Sequence, residues 1–431
     1  MTESSKAATG RAVSGAPETV YLHIGLHKTG TTYLQNVLRA NRDHVRAQQI
    51  DFPGGPGEPV QAFAVWDLQG RRPRGAGDER IAGSWDVLVD AVNTSGLRSA
   101  LISEERLSLC TLRQAQRAVS SFPDSQVQVI VTVRDLGRVA VSAWQEEVKN
   151  DQTYTWQAFV DSIKDPSRVA VKPARGFWFR QDVVKICETW ESVVPASRLH
   201  VITVPRSGAS ADVLLGRFAS VVGFEPDSLT EEPAWNNETV GVAATEVIRR
   251  VNERLGGRLN QRQHDKVIKL TLAPMLAQRT EAARFSLPPE EMGWITERAD
   301  QMIEALQQRG YPLTGDLSEL RPEPTMGTRR PDDATEPELL EASLDALAML
   351  AERHATSWWI RKQPDLAAVA ARAAQSADLA SKTRGLVFRG QRRAAELADK
   401  FPVAAKAMSA VLSRRDRART KAAARSRSEP K

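Results

Sequence analysis

The sequence predicts an α/β protein: a P-loop three-layer fold in which a mostly parallel sheet is flanked by helices, with a helical C-terminal extension. Three observations carry this. Short apolar, β-branched runs alternate with amphipathic helical patterns as far as Val204; a glycine-rich turn joins the first such run to the first helical pattern; and beyond Val204 the pattern becomes mainly helical. Strands that alternate with helices pair in parallel, because each crossover helix returns the chain to the edge from which the next strand starts.

The elements follow in order. Residues 1–17 are small and polar and read as a disordered leader without the apolar stretch of a secretory signal. Strands are expected at Val20 to Gly25, Ser99 to Ser103, Val127 to Val133 and Leu199 to Val204, and helices at Thr31 to Ala40, Arg138 to Lys149 and Arg180 to Val193. Asp51 to Gly77, rich in Gly and Pro, reads as a long loop beside the site. After Val204, helical patterns run through EVIRRVNERL, RQHDKVIKL and WITERADQMIEAL to YPLTGDLSEL. The first domain is therefore drawn over 18–322, a Pro- and charge-rich linker over 323–337, and a partly disordered, helical, basic extension over 338–431. That extension opens on a helix from Glu338 to about Arg361, with Leu340, Leu344, Leu347, Ala351 and Trp358 on one face.

Composition narrows the chemistry. With 431 residues and 41% hydrophobic content, the chain can bury a large core. Two cysteines, Cys110 and Cys187, are too few and too far apart for a disulfide framework. Six histidines without ligand spacing argue against a metal centre. No run of 18 apolar residues occurs, so a cytoplasmic protein is expected. The net charge of +6 is uneven: Arg384 to Lys431 holds 14 Lys/Arg against four Asp/Glu, a local +10, which leaves about −4 for the rest. Such a tail suits contact with anionic lipid or another polyanion and a membrane-peripheral location. Aromatic residues are scarce after Trp359, so specific nucleic-acid binding by base stacking is not expected.

The stretch VYLHIGLHKTGTTYLQNVL, Val20 to Leu38, has the two glycines of a G-x-x-x-x-G-K-[ST] phosphate loop. The lysine is displaced: Thr31 stands at its place and Lys28 lies inside the loop. A strand-to-helix turn of this kind presents main-chain N–H groups and a helix N-terminus to an anion. Thr29, Thr31 and Thr32 add hydroxyl groups and Lys28 a charge. KTGTTYL, residues 28 to 34, resembles the 5′-phosphosulfate loop of sulfotransferases, P-K-[ST]-G-T-T-[WFY]-L, with His27 at the usual proline. The resemblance implies 3′-phosphoadenosine 5′-phosphosulfate (PAPS) as co-substrate, bound by Lys28, Thr29, Gly30, Thr31, Thr32 and Tyr33, and no metal.

A second motif agrees. The strand Val127 to Val133 ends at Arg134, and Ser142 follows eight residues on, the spacing of the family's 3′-phosphate arginine and serine. Trp144 replaces a tyrosine usual in that motif, and the RKGxxGDW stretch of eukaryotic cytosolic members is absent. WQEEVK and VITVP are similar to actinobacterial members, and the resemblance spans Glu18 to Pro322. For the catalytic base, the family uses a histidine or a glutamate at a strand end. ISEE after Ser99 to Ser103 aligns Glu105 with the family glutamate, with Glu104 next and His27 as rival. Glu104 and Glu105 also suit a helix start. His23 alternates with Val20, Leu22 and Ile24 and reads as a sheet residue.

The resemblance implies sulfuryl transfer to a hydroxyl or amine of an acceptor such as a glycan, a glycolipid or a small metabolite. Two other readings compete. A P-loop kinase or NTPase would need a lysine where Thr31 stands and a magnesium-holding aspartate where Arg134 stands. A non-catalytic nucleotide-binding scaffold would act through the basic tail.

Overall fold

The computed structural model describes residues 15–71, 80–165, 172–232, 240–279, 286–323 and 329–362. It divides into two compact units, Met1–Met349 and Leu350–Lys431. The first holds the sheet and every candidate site residue. Of the second, residues 350–362 are described, so the basic tail expected from Arg384 onward lies outside the described residues.

Six parallel strands form one sheet: β1 (Thr19–His23), β2 (Ile50–Asp51), β3 (Ser99–Ser103), β4 (Gln126–Val133), β5 (Leu199–Thr203) and β6 (Leu313–Thr314). Their order is β2-β3-β1-β4-β5-β6. After β1 the chain goes out to β2, returns through β3, then crosses β1 to build β4, β5 and β6. β1 is thus flanked by β3 and β4, with His23 level with Ser103 on one side and Ile130 on the other. The turns leaving these three strands open at one edge beside the switch in chain direction, where open α/β sheets bind ligands.

Burial explains the central strands. Val129, Ile130, Val131, Leu101, Ile102 and Leu22 are fully or almost fully buried, as a sheet covered on both faces requires. On one face Leu34 and Leu38 of α1 (Thr31–Ala40) pack with Leu101, Ile130, Ile202 and Phe218. Each such side chain contributes about 1.5 to 3 kcal/mol.

Three expectations need correction. Asp51 to Gly77 is not one long loop: Ile50–Asp51 is a strand and Gln61–Leu68 a helix, whose Trp66 is covered by the Arg106 guanidinium. The expected helix from Arg180 to Val193 is two, Ala174–Gln181 and Val183–Glu191, because Asp182 caps the second by accepting from the Lys185 N–H. The region after Val204 is mainly helical as expected, and within it Leu313–Thr314 rejoins the sheet as β6 beside β5. Finally, the helix Glu336–Lys362 buries Leu339, Ala342 and Ala346, whereas Leu340, Leu344 and Leu347 are exposed. Small side chains allow the closer approach, so the leucine stripe faces outward. The Trp358 side chain lies outside the described residues.

Candidate functional site

The loop from Gly25 to Gly30 joins β1 to α1. Gly25 has φ +92°, and a Cβ there would stand 2.8 Å from the Glu105 Cβ, so this position admits glycine alone. Lys28 has φ +66°, a left-handed conformation that costs a non-glycine residue of order 1 kcal/mol and persists only where its surroundings enforce it.

Three consecutive carbonyls of the loop are engaged. Thr29 Oγ1 donates to Leu26 O at 2.6 Å, Gln181 Nε2 to His27 O at 2.9 Å, and Arg134 Nη1 to Lys28 O at 3.2 Å. Among the described residues, no group accepts from the main-chain N–H of Lys28 to Tyr33. α1 has no side-chain cap and no acidic residue in its first turn. Engaged carbonyls and open N–H groups at the positive end of a helix are features that suit an anion.

A buried hydrogen-bond chain underpins the loop. Thr29 Oγ1 lies 2.6 Å from Thr132 Oγ1, which lies 3.3 Å from His23 Nε2, and His23 Nδ1 lies 2.8 Å from Ser103 Oγ. The Thr29 proton goes to Leu26 O, so Thr132 donates to Thr29 and must accept from His23. His23 therefore carries its proton on Nε2 and accepts from Ser103. Fully buried, it is held down to a pKa of about 3. It is a satisfied sheet residue, as its alternation indicates.

Lys28 Nζ reaches Glu146 Oε2 at 3.0 Å across to the helix after β4, Leu136–Lys149. Burial pushes the Lys28 ammonium down, and Glu146 offsets part of that. Arg134 sits at the end of β4. Asp135 serves the following helix, accepting from the Arg138 N–H and pairing with the Arg138 side chain rather than with Arg134. Arg134 Nε is buried with no partner among the described residues, and burial beside Arg138 lowers its pKa to about 10. A buried guanidinium N–H without an acceptor fits an anionic ligand. Ser142 lies two turns into the same helix, one turn before Glu146.

The end of β3 supplies the carboxylates. Glu105 rests over Gly25, its Oε2 3.5 Å from Gln35 Nε2 of α1. Glu104 does not cap the short helix that follows: its carboxylate pairs with Arg106 at 2.6 Å, and the main chain turns without a side-chain cap. Burial, then the Glu105 charge, raise the Glu104 pKa. His27 Nδ1 has no partner among the described residues. Burial, with Arg180, Arg106 and Lys28 nearby, lowers its pKa to about 3, so the ring is neutral at ordinary pH. Arg134 holds the Lys28 carbonyl and Glu105 rests over Gly25, so the residues leaving β4 and β3 both meet the loop that follows β1.

The crystal structure of a sulfotransferase from Alicyclobacillus acidocaldarius is similar to this chain. The match covers 57% of this chain and 96% of that one, at 17% identity and a TM-score of 0.36. No family model and no curated protein matches the sequence.

Several site residues had little or no signal in the sequence. Lys269 reaches Glu146 from a π-helical stretch, Asp265–Leu272, far along the chain. Gln181 comes from the helix Ala174–Gln181. Glu146 was legible in part: Ser142, Glu146 and Lys149 fall on one helical face. Among the described residues, no group of three His, Cys, Asp or Glu side chains is placed to hold a metal ion, and no helix is long and apolar enough to cross a membrane.

Proposed function

We propose that this protein is a PAPS-dependent sulfotransferase acting on a hydroxyl or amine of a glycan, glycolipid or small metabolite. The observation that supports it best is the loop itself. Its open N–H groups and α1 suit the 5′-phosphosulfate, with Thr31 and Thr32 as hydroxyl donors and Tyr33 beside them; Arg134, whose Nε has no partner among the described residues, suits the 3′-phosphate together with Ser142.

In this reading the acceptor oxygen or nitrogen attacks sulfur and forms the new bond to it. The bond from sulfur to the bridging phosphate oxygen breaks. Adenosine 3′,5′-bisphosphate leaves, its developing charge met by Lys28, and the acceptor proton passes to Glu105. Glu104, the next candidate for the base, is engaged by Arg106. The neutral His27 ring is the alternative proton acceptor. The basic tail from Arg384 is proposed to bind anionic lipid or another polyanion at a membrane surface. Removing it should leave turnover of a small acceptor unchanged while abolishing that association.

Calorimetric titration with adenosine 3′,5′-bisphosphate and with magnesium ATP, followed by transfer assays with labelled PAPS and fractionated acceptors, tests the proposal. Bisphosphate binding with label transfer is expected. Preference for ATP would replace the proposal with a kinase or NTPase, and bisphosphate binding without transfer to any acceptor would leave a nucleotide-binding scaffold.

A further inference from the structure

We propose that Glu146 is a positioning residue that holds Lys28 in the place of the incoming anion and competes with that anion for it, with Lys149 and Lys269 making the exchange possible. The proposal rests on the sulfotransferase reading only for the identity of the anion.

The geometry is a carboxylate shared by three ammonium groups. Oε2 receives Lys28 at 3.0 Å and Lys149 at 3.3 Å; Oε1 receives Lys269 at 2.7 Å and the Asn150 amide at 3.3 Å. Lys269 is itself fixed by Asn150 Oδ1 at 2.8 Å. If Lys28 withdraws, both oxygens of Glu146 keep a cationic or amide donor, so no buried charge is left unpaired. Lys28 is bound differently. Its side chain has Glu146 as its ion-pair partner, while the open N–H groups of its own loop mark where an anion would draw it. Three lysines against one glutamate also leave the cluster positive while Lys28 is still paired, which favours approach of an anion.

The groups facing Lys28 are Glu146, Lys149 and Lys269, and those facing the adjacent His27 include Arg180 and Arg106. Burial pushes Lys28 toward neutrality, and Glu146 opposes this by keeping it charged in the empty site. Lys149 and Lys269 in turn keep Glu146 ionised: burial alone would raise its pKa, but the three lysines hold it far below the usual carboxylate range. A structural ion pair and a competitor for the anion predict opposite signs when Glu146 loses its charge.

The test uses the full chain, with inorganic sulfate and adenosine 3′,5′-bisphosphate as separate probes, binding being followed by calorimetry and by the amide resonance of Gly30. Glu146→Gln should tighten both by about 1.5-fold to fivefold, the range of a part-exposed ion pair. Lys269→Met, which leaves Glu146 freer to hold Lys28, should weaken both and raise the Lys28 pKa measured by labelled-lysine resonance. In a Lys28→Met background neither change should alter affinity. Weaker or unchanged binding in Glu146→Gln overturns the proposal, as does an effect that persists without Lys28. Should Glu146→Gln not fold, the Lys269→Met pair of measurements decides alone. If sulfate responds as stated but the bisphosphate does not bind, the exchange stands and the sulfotransferase reading falls. If the bisphosphate binds and neither probe responds, the reverse holds.

Discussion

Arg134 donates from Nη1 to the main-chain carbonyl of Lys28 at 3.2 Å, so the residue that ends β4 helps hold the loop that follows β1 in its left-handed turn. The two motifs are one structure, and Arg134 has two tasks: it orients Lys28 and offers its unpartnered Nε side to an anion. Arg134→Ala should weaken adenosine 3′,5′-bisphosphate by about 2 to 4 kcal/mol, as truncation of a buried charge partner does. Arg134→Lys should recover only part of this, because an ammonium cannot serve the carbonyl and the anion as a planar fork does. Calorimetry reads both, and a dissociation constant unchanged in Arg134→Ala would remove Arg134 from the binding site.

Lys28 separates backbone from side chain. Both Lys28→Gly and Lys28→Ala remove the charge and should lower sulfuryl transfer by roughly 10² to 10³. They should differ in stability: at φ +66° glycine is unstrained and alanine is not, so Lys28→Gly should be the more stable by about 1 kcal/mol in urea unfolding. Equal stabilities would mean that the left-handed turn relaxes when the side chain goes.

Glu105→Gln keeps size and hydrogen bonding to Gln35 but cannot take a proton, so kcat should fall by roughly 10² with bisphosphate affinity nearly constant. Glu104→Gln acts elsewhere. It replaces a charge that burial and Glu105 disfavour with a neutral group that can still accept from Arg106, and should change stability by about 1 kcal/mol at most. Small and equal effects on kcat at both positions would pass the role to His27, and His27→Gln would then carry the loss.

Two buried histidines make the fold acid-sensitive. His23 and His27 have pKa values of about 3 in the folded protein against 6.5 when free. Between those values the unfolded chain binds more protons, so their contribution is complete above 6.5 and is lost as pH falls toward 3. The limiting slope is about 1.4 kcal/mol per pH unit for each histidine. Urea midpoints measured from pH 6.5 down to 5 should decline less steeply in His23→Gln than in the unaltered protein. Parallel declines would show that His23 is accessible to protons in the folded state.

What the sequence by itself determined is whatever depends on neighbours in the chain. The run Gln126–Val133 is rich in β-branched residues and suits a strand, and α1 begins where Gly30 ends the turn. The glycine spacing and the lysine inside the loop state an anion site locally, since a nest is made of consecutive residues. Tertiary structure decided the rest. β2 and β6 are two residues each, too short for a periodic signal, and exist because a neighbouring strand offers its edge. Glu105 is the carboxylate at the loop because β3 lies beside β1 and its exit passes over Gly25, while Glu104, one residue earlier on the extended chain, is turned to Arg106. Lys269 meets Lys28 only through Glu146, across 123 and 118 residues of chain respectively, and no local pattern records a contact that arises when separate helices pack.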